Sequence, residues 1–147
     1  MHLFHEDGTL PDSKSVFVFG SNLAGLHGAG AAKAARERFG AVQGQGTGRQ
    51  GQSYAIPSKD GRPGTPALSD PAATLPLSAI IPEVAAFIEY AREHSTERFF
   101  ISRIGCGLAG YRDEDIAPLF VGAPCNCSFP VQWKQWLLQP HSAIGSK

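Results

Sequence analysis

The sequence predicts an α/β fold in which a mostly parallel sheet carries helices on both faces, and three observations support this. Residues 15–19 form a short β-branched and aromatic run that ends at Gly20, as buried strands do. A glycine-rich turn and an alanine-rich helix over residues 29–39 follow it. The same order of strand, glycine loop and helix recurs after residue 99. Strands that alternate with helices favour a parallel sheet that binds ligands at the carboxyl ends of its strands.

The segment between the first helix and residue 76 predicts one strand between two irregular stretches. Residues 40–51 are dense in glycine, which predicts a loop. Residues 52–56 predict a second buried strand, which Pro57 ends, and Lys59 follows just beyond it. Residues 60–76 are rich in proline and glycine and predict irregular chain.

The next segment contains the longest predicted helix. Residues 77–92 carry apolar side chains at three- and four-residue steps, which is typical of an amphipathic helix. Proline fits a first helical turn, so the regular part is expected to begin near Pro82. Residues 99–102 predict a third strand, and Asp113 is expected to cap a helix that runs to about Val121.

The last segment predicts one more strand and an apolar anchor. Residues 127–131 could form a final short strand, and Trp133, Trp136 and Leu137 are expected to pack against the core. The chain of 147 residues fits one domain, expected over residues 1–140, with a flexible tail at 141–147.

Composition limits the classes of function. Lysine plus arginine and aspartate plus glutamate each total 13, so no basic surplus indicates a protein that coats nucleic acid. No apolar run approaches the length of a membrane span, and the N-terminus lacks the layout of a signal peptide. The three cysteines are expected to be reduced. These features predict a cytoplasmic protein with no membrane partner.

The first glycine loop, residues 20–30, reads GSNLAGLHGAG. Such a loop offers unpaired backbone N–H groups and the positive end of a helix dipole, and its glycines allow a phosphate to approach closely. The same glycines could instead serve only a tight turn and the packing of the helix on the sheet. The loop is not a P-loop, because it lacks the lysine that precedes a serine or threonine.

The second glycine loop, residues 103–111, reads RIGCGLAGY and also lies between a strand and a helix. A diphosphate needs several backbone donors, and two such loops at one edge of a sheet would supply them. The pair therefore predicts a diphosphate site more specifically than either loop does alone.

Three blocks of the sequence resemble the macrodomains, especially the branch of the terminal ADP-ribose glycohydrolase and of antitoxins that remove ADP-ribose from DNA. The blocks are GLHGAGAA at 25–32 with RFG at 38–40, YAIPSK at 54–59, and RIGCGL at 103–108. Their order and spacing match that branch over residues 16–123, and a phage-associated group of macro-like proteins is more similar still. The resemblance implies a macrodomain-like three-layer sandwich with a mixed, mostly parallel sheet.

The resemblance also implies a ligand and a role for each block. The first loop would hold the distal ribose of ADP-ribose, with Asn22 on the ribose hydroxyls, and the second would wrap the diphosphate. A lysine at the position of Lys59 attacks the anomeric carbon in the glycohydrolase branch and forms a Schiff base with the opened sugar. Asn22 and Lys59 are therefore the expected catalytic residues. The expected ligand-binding residues are Ser21, Gly25, His27, Gly28, Ala29, Gly30, Ile104, Gly105, Cys106, Gly107, Leu108, Ala109, Gly110 and Tyr111.

The activity that the resemblance implies is the release of terminal ADP-ribose from a modified protein or nucleic acid. It requires no cofactor, no metal and no obligate protein partner. A lysine among backbone dipoles and apolar walls can supply the neutral amine for such an attack, whereas an exposed lysine cannot do so readily. Lys59 could instead be a solvated charge in a loop.

One departure from the branch leaves a second function open. The glycohydrolase carries an aspartate directly after its GCGL stretch, where this chain has Ala109. The DNA-directed antitoxins also lack that carboxylate. The alternative function is non-catalytic binding of ADP-ribose or of an NAD-derived nucleotide signal.

Four side chains near the predicted site have open roles. His27 could line the ribose pocket or act as an acid or base. Tyr111 is expected near the pocket mouth, where it could stack on adenine. Asp7 is a candidate for the aspartate that commonly binds the adenine amino group in macrodomains. Cys106 is expected to pack within its turn.

Overall fold

The structure, a computed structural model of the chain, describes residues 3–138. The strands in this range are β1 (Leu3–His5), β2 (Val16–Asn22), β3 (Gly48–Gln50), β4 (Ser53–Lys59), β5 (Phe99–Ile101) and β6 (Cys127–Pro130). The α-helices are α1 (Gly30–Arg38), α2 (Leu77–Glu93), α3 (Asp113–Ile116) and α4 (Lys134–Leu137). Short 3₁₀ turns occupy Pro71–Ala73, Ala117–Phe120 and Val131–Trp133.

The six strands form one sheet in the order β1-β6-β5-β2-β4-β3. Every neighbouring pair is parallel except β3, which runs antiparallel to β4. The carboxyl ends of β5, β2 and β4, at the centre of the sheet, therefore meet at one edge. The predicted α/β class with a mixed, mostly parallel sheet is confirmed.

Strand β2 divides the core into two layers because its successive side chains point to opposite faces. Phe17 and Phe19 pack against α1 on one face of the sheet, and Val16 and Val18 belong to the larger apolar cluster on the other. That cluster includes the apolar face of helix α2 and, from the C-terminal segment, Trp133 and Leu137. These two residues lie in the core as predicted, and Trp136 packs against it while partly exposed.

Two strands run further than the sequence predicts. Strand β2 continues past Gly20 to Asn22, and β4 continues through Pro57 to Lys59. A proline removes a donor from the ladder, but Pro57 lies beyond Ala55, the last residue of β4 that pairs with β3, so no bond to β3 is lost. Lys59 is therefore the last residue of a central strand rather than part of a loop beyond it.

The predicted bounds of three other segments were wrong. The segment 40–51 contains β3, which pairs with β4. Helix α2 begins at Leu77, because Pro82 forfeits only one helical hydrogen bond and the fully buried Ile80 anchors the turn before it. Asp113 is the first residue of α3 and not its cap, and the chain after α3 tightens into a 3₁₀ turn.

Strand β1 was not predicted, because three residues carry too little pattern. The predicted tail at 141–147 lies outside the described residues, and the single domain over 1–140 stays a prediction. None of the helices in residues 3–138 is both long enough and apolar enough to cross a membrane.

Candidate ligand-binding cleft

A cleft of about 890 Å³ opens at the edge where β5, β2 and β4 end, and both glycine loops line it. Its volume lies in the range of small-molecule sites, and much of its wall is apolar. Asn22 and Lys59 line it at the ends of their strands. The predicted ligand-binding residues that line it are Ser21, Gly28, Ala29, Gly30, Ile104, Gly105, Cys106, Gly107, Leu108 and Ala109.

The backbone N–H groups of the first loop fall into two sets. Those of residues 23–27 all donate within the protein, for example from Leu23 to the Lys59 carbonyl at 3.0 Å. Those of Gly28, Ala29 and Gly30 have no acceptor within residues 3–138. Helix α1 begins at Gly30 without a side-chain cap. These three amides and the first turn of α1 are therefore available to an anion.

The second loop has a similar set of free donors. The N–H groups of Gly107, Leu108 and Ala109 have no acceptor in the part of the chain that the structure describes. The loop closes on itself through bonds from Gly110 N to Gly107 O (3.0 Å) and from Tyr111 N to Gly105 O (2.8 Å). Both loops thus present three consecutive unpaired amides in segments that line the same cleft.

Lys59 is buried, with 5% of its surface exposed. Its Nζ donates to the carbonyls of Leu108 (3.3 Å) and Asp70 (3.4 Å), and none of the ion pairs found in residues 3–138 includes it. A buried cation held only by carbonyl dipoles carries a desolvation cost that an anionic ligand would offset. The solvated charge that the sequence left open does not fit this burial.

Asn22 first serves to close the first loop. Its Nδ2 donates to the Leu26 carbonyl and its Oδ1 accepts from the Leu26 N–H, both at 2.9 Å. A primary amide has a second N–H and a second lone pair, so Asn22 keeps one donor and one acceptor for a ligand. The neighbouring Ser21 hydroxyl donates to the Gly46 carbonyl, so its proton is already used.

Two predicted residues of the first loop, Gly25 and His27, do not line the cleft. His27 is fully buried, its ring packs edge-on against Phe19 at 5.2 Å, and its Nε2 donates to the Gln45 carbonyl at 2.9 Å. An imidazole directed into the core cannot exchange protons with a ligand in the cleft. Gly25 has φ +70°, and a Cβ there would lie 2.4 Å from Gln45 N, so only glycine allows these two segments to approach so closely.

Gly110 and Tyr111 also lie outside the cleft wall. Gly110 has φ +84°, so its role is to let the second loop turn back. The Tyr111 hydroxyl donates to the Leu75 carbonyl at 2.5 Å, and its ring packs against the main core cluster. This hydrogen bond holds the hydroxyl end of the ring against the segment that follows β4.

The end of the cleft away from Lys59 was largely missed from the sequence. His5 stacks on Phe100 at 3.6 Å, its Nε2 donates to the Ile101 carbonyl at 2.9 Å, and burial lowers its pKa. Asp7, the candidate for binding the adenine amino group, lines this end and lies 3.6 Å from Arg103. The missed lining residues here include His5, Thr9, Leu10, Phe17, Phe100 and Arg103.

A partly exposed ion pair fixes the base of the second loop. Arg103 Nε and Nη2 donate to the two carboxylate oxygens of Asp113 at 2.7 and 2.6 Å, and Trp133 Nε1 donates to the same group at 2.8 Å. The hydrogen bonds from Arg103 hold the pKa of Asp113 below its usual value. Burial, followed by the charge of Asp113, raises the pKa of the Cys106 thiol to about 12, so this thiol is not a nucleophile at neutral pH.

This ion pair predicts acid-sensitive stability. Because the pKa of Asp113 is lower in the folded chain, the pair stabilises the fold above the ordinary value of 3.8, and this stabilisation is lost as the pH falls below it. We expect Asp113→Asn to lower the free energy of unfolding by roughly 1–3 kcal/mol at pH 7, and the difference to narrow toward pH 3. Urea unfolding across this range measures it.

The matched control for that variant is Glu89→Gln, which removes an exposed pair with Arg92 at 3.3 Å. Such surface pairs contribute little, so its effect should stay below about 0.5 kcal/mol at every pH. A pH-independent effect of Asp113→Asn would contradict the role given to its charge.

The order of the strands, the two covered faces and the cleft at the carboxyl edge define an α/β protein of macrodomain-like fold. Among solved structures, the chain is similar to "Thermosipho africanus DarTG in complex with ADP-ribose", with a TM-score of 0.52 and 14% sequence identity. The match covers 82% of this chain and 39% of that one. No protein-family model and no curated protein sequence matches the chain. At this identity the likeness shows the fold, and the predicted macrodomain-like fold is confirmed.

Proposed function

We propose that this chain is a macrodomain that binds ADP-ribose in the cleft and releases terminal ADP-ribose from a modified macromolecule. One observation carries the proposal: two sets of unpaired amides and the buried Lys59 line a single cleft. A diphosphate bound there would receive several donors without the burial of compensating side-chain charges. The solved structure of similar fold is named as a complex with ADP-ribose, which supports the choice of ligand.

The cleft suggests an orientation for the ligand. The diphosphate would lie on the amides of residues 28–30 and 107–109, and the distal ribose beside Asn22 and Lys59. The adenosine half would then extend toward Phe100 and Asp7, which supply an aromatic ring and a carboxylate. In this orientation the bond to be cleaved lies at the buried lysine.

In the proposed reaction Lys59 first gives up a proton to water, and its amine then attacks the anomeric carbon of the distal ribose. The bond to the acceptor breaks, and the acceptor leaves with its electron pair and takes up the proton that the newly attached amine releases. Ring opening converts the resulting adduct to a Schiff base, and water hydrolyses it to free ADP-ribose and the free lysine. The remaining donor and acceptor of Asn22 would orient the ribose hydroxyls.

A second function, binding without catalysis, is supported by two observations. Ala109 places no carboxylate beside Lys59 that could assist hydrolysis of the adduct. The Lys59 ammonium also donates to two carbonyls, which suits a fixed positive charge as well as a nucleophile. In that case the chain would sequester or recognise ADP-ribose or a related NAD-derived nucleotide.

Borohydride trapping separates the two functions. The chain is incubated with mono-ADP-ribosylated protein and, separately, with mono-ADP-ribosylated DNA, reduced, digested and analysed by mass spectrometry. A reduced ADP-ribose adduct on Lys59 together with released ADP-ribose supports the hydrolase. Binding of ADP-ribose without release or adduct supports the non-catalytic function. If millimolar ADP-ribose gives neither heat nor a thermal shift, nucleotide binding itself is rejected.

The glycine at position 107 offers a test of the phosphate-binding surface. A Cβ built at Gly107 meets no heavy atom within 4 Å, and the residue does not adopt a left-handed backbone, so the fold tolerates alanine there. The added methyl group would stand among the unpaired amides and keep a phosphate at a distance. We expect Gly107→Ala to weaken ADP-ribose binding about tenfold, measured by calorimetry, with little change in melting temperature.

Gly28 is the matched position in the first loop. It also has open space at Cβ and lines the cleft, so Gly28→Ala should behave in the same way. Native affinity in both variants would show that no phosphate approaches these backbones.

A further inference from the structure

Three leucines border the end of the cleft that contains Lys59 and Asn22. Leu26, Leu68 and Leu108 come from three separate segments and all line the cleft. Leu108 is 65% exposed and Leu26 is 45% exposed, although both are large apolar side chains. Exposed leucines that converge on one opening indicate a contact surface more than chance exposure does. We refer to Leu26, Leu68 and Leu108 as the leucine rim.

The contacts of the leucine rim place it at the proposed reaction centre. The Leu108 carbonyl accepts from Lys59 Nζ at 3.3 Å, and the Leu26 backbone makes both of its bonds with the Asn22 amide at 2.9 Å. A Cβ built on Gly61 would lie 3.0 Å from both Leu68 Cδ2 and Asn22 Oδ1, so these two groups are neighbours. Each rim leucine is therefore adjacent to one of the two residues assigned to the distal ribose.

The charges around the leucine rim nearly balance. Arg62 pairs with Asp60 at 2.7 Å, so neither presents a free charge. Lys59 is buried, and Asp70 contributes a carboxylate whose Oδ1 accepts from Ala72 N. These four groups sum to zero, and Arg36, whose Nε donates to the His27 carbonyl beside Leu26 at 2.9 Å, adds one positive charge. A nucleic acid acceptor would instead require basic side chains to neutralise its phosphates.

We propose that the acceptor released by this chain is a protein segment that presents an apolar side chain next to its modified residue. The inference rests on the proposed function, because whatever is joined to the distal ribose must pass the leucine rim as it leaves the cleft. An apolar side chain of the acceptor would bury against the rim and gain affinity in proportion to the area removed from water. A phosphodiester backbone would meet a largely apolar border with little positive charge and gain little.

The test measures binding, so it does not depend on turnover. Four ligands are compared by calorimetry: free ADP-ribose, a peptide with leucines beside a residue that carries ADP-ribose through a hydrolysis-resistant linkage, the same peptide with serines instead, and a single-stranded DNA oligonucleotide with the same linkage. We expect the leucine peptide to bind about tenfold more tightly than free ADP-ribose, a gain on the scale of one partly buried leucine side chain. The serine peptide and the oligonucleotide should bind no more tightly than free ADP-ribose.

Variants of the leucine rim test whether the tighter binding of the leucine peptide comes from the rim. The quantity compared is the affinity for the leucine peptide divided by the affinity for free ADP-ribose, which cancels any general disturbance of the cleft. Leu68→Ser and Leu108→Ser should each lower this ratio about threefold to fivefold. Val121→Ser is the control, because Val121 is 54% exposed and does not line the cleft.

Each outcome decides a separate point. Tighter binding of the oligonucleotide than of the leucine peptide overturns the inference, and so does equal binding of all four ligands. An unchanged ratio in both rim variants overturns it as well. If free ADP-ribose does not bind at all, the proposed function fails and the inference fails with it.

Discussion

Replacing Lys59 by methionine should lower the rate of ADP-ribose release by at least about 1000-fold, because the nucleophile of the proposed reaction is lost. Methionine fills a similar volume, and the substitution removes a buried charge that has no ion-pair partner among the described residues. The free energy of unfolding should therefore change by less than about 1 kcal/mol, since relief of the buried charge offsets the two lost hydrogen bonds. Single-turnover release from a modified protein and urea unfolding measure the two effects.

Lys14→Met is the control for this variant, because Lys14 is exposed and lies outside the cleft. It should release ADP-ribose at the native rate. Native release by Lys59→Met would exclude the lysine as nucleophile, whereas lost release with retained ADP-ribose binding would support its chemical role. Loss of release together with loss of binding would instead indicate that Lys59 serves only to hold the ligand.

Replacing Gly46 by alanine should have the second-largest effect. A Cβ at this position would lie 2.0 Å from the Asn22 carbonyl oxygen and 3.1 Å from that of Leu23, both backbone atoms. Backbone cannot rotate away as a side chain can, so the first loop must move. We expect Gly46→Ala to lower the free energy of unfolding by roughly 3 kcal/mol and to weaken ADP-ribose binding at least tenfold.

Gly44→Ala, two residues before Gly46, separates the effect of steric overlap from that of backbone strain. Gly44 has φ +98° but open space at Cβ, so alanine there costs conformational strain alone, about 1–2 kcal/mol. Its ADP-ribose affinity should stay close to native. If Gly46→Ala binds ADP-ribose as tightly as Gly44→Ala, the support that this loop gives to Asn22 has no bearing on the ligand.

The parts of the site that could be predicted from sequence are those with a local cause. A buried strand, a glycine loop and a helix follow one another twice, and parallel strands bring such loops to one edge without further information. The two glycine loops were singled out for this reason, and residues 28–30 and 107–109 within them line one cleft. The depth of Lys59 was missed because Pro57 marks the usual end of a strand, while here the pairing with β2 continues past it to Lys59.

The parts that could not be predicted depend on contacts between distant segments. Strand β1 pairs with β6, more than 120 residues later, and only this pairing brings His5 and Asp7 to the cleft. The orientation of His27 is set by Gln45 and Phe19, and no local pattern shows which side of a loop a ring will face. Tyr111 is turned aside by one hydrogen bond to Leu75. In each case tertiary contacts select one of several conformations that the local sequence allows equally.

The unpaired donors of both loops belong to the main chain, and this affects how the cleft responds to sequence change. Most substitutions leave an amide hydrogen in place, so the side chains around it can vary widely while the ability to solvate an anion persists. The feature under constraint is the path of the chain, which a few glycines and the contacts behind the first loop maintain. Substitutions should therefore be tolerated at many positions that line the cleft. They should be damaging at the few positions where the backbone itself has no room to shift.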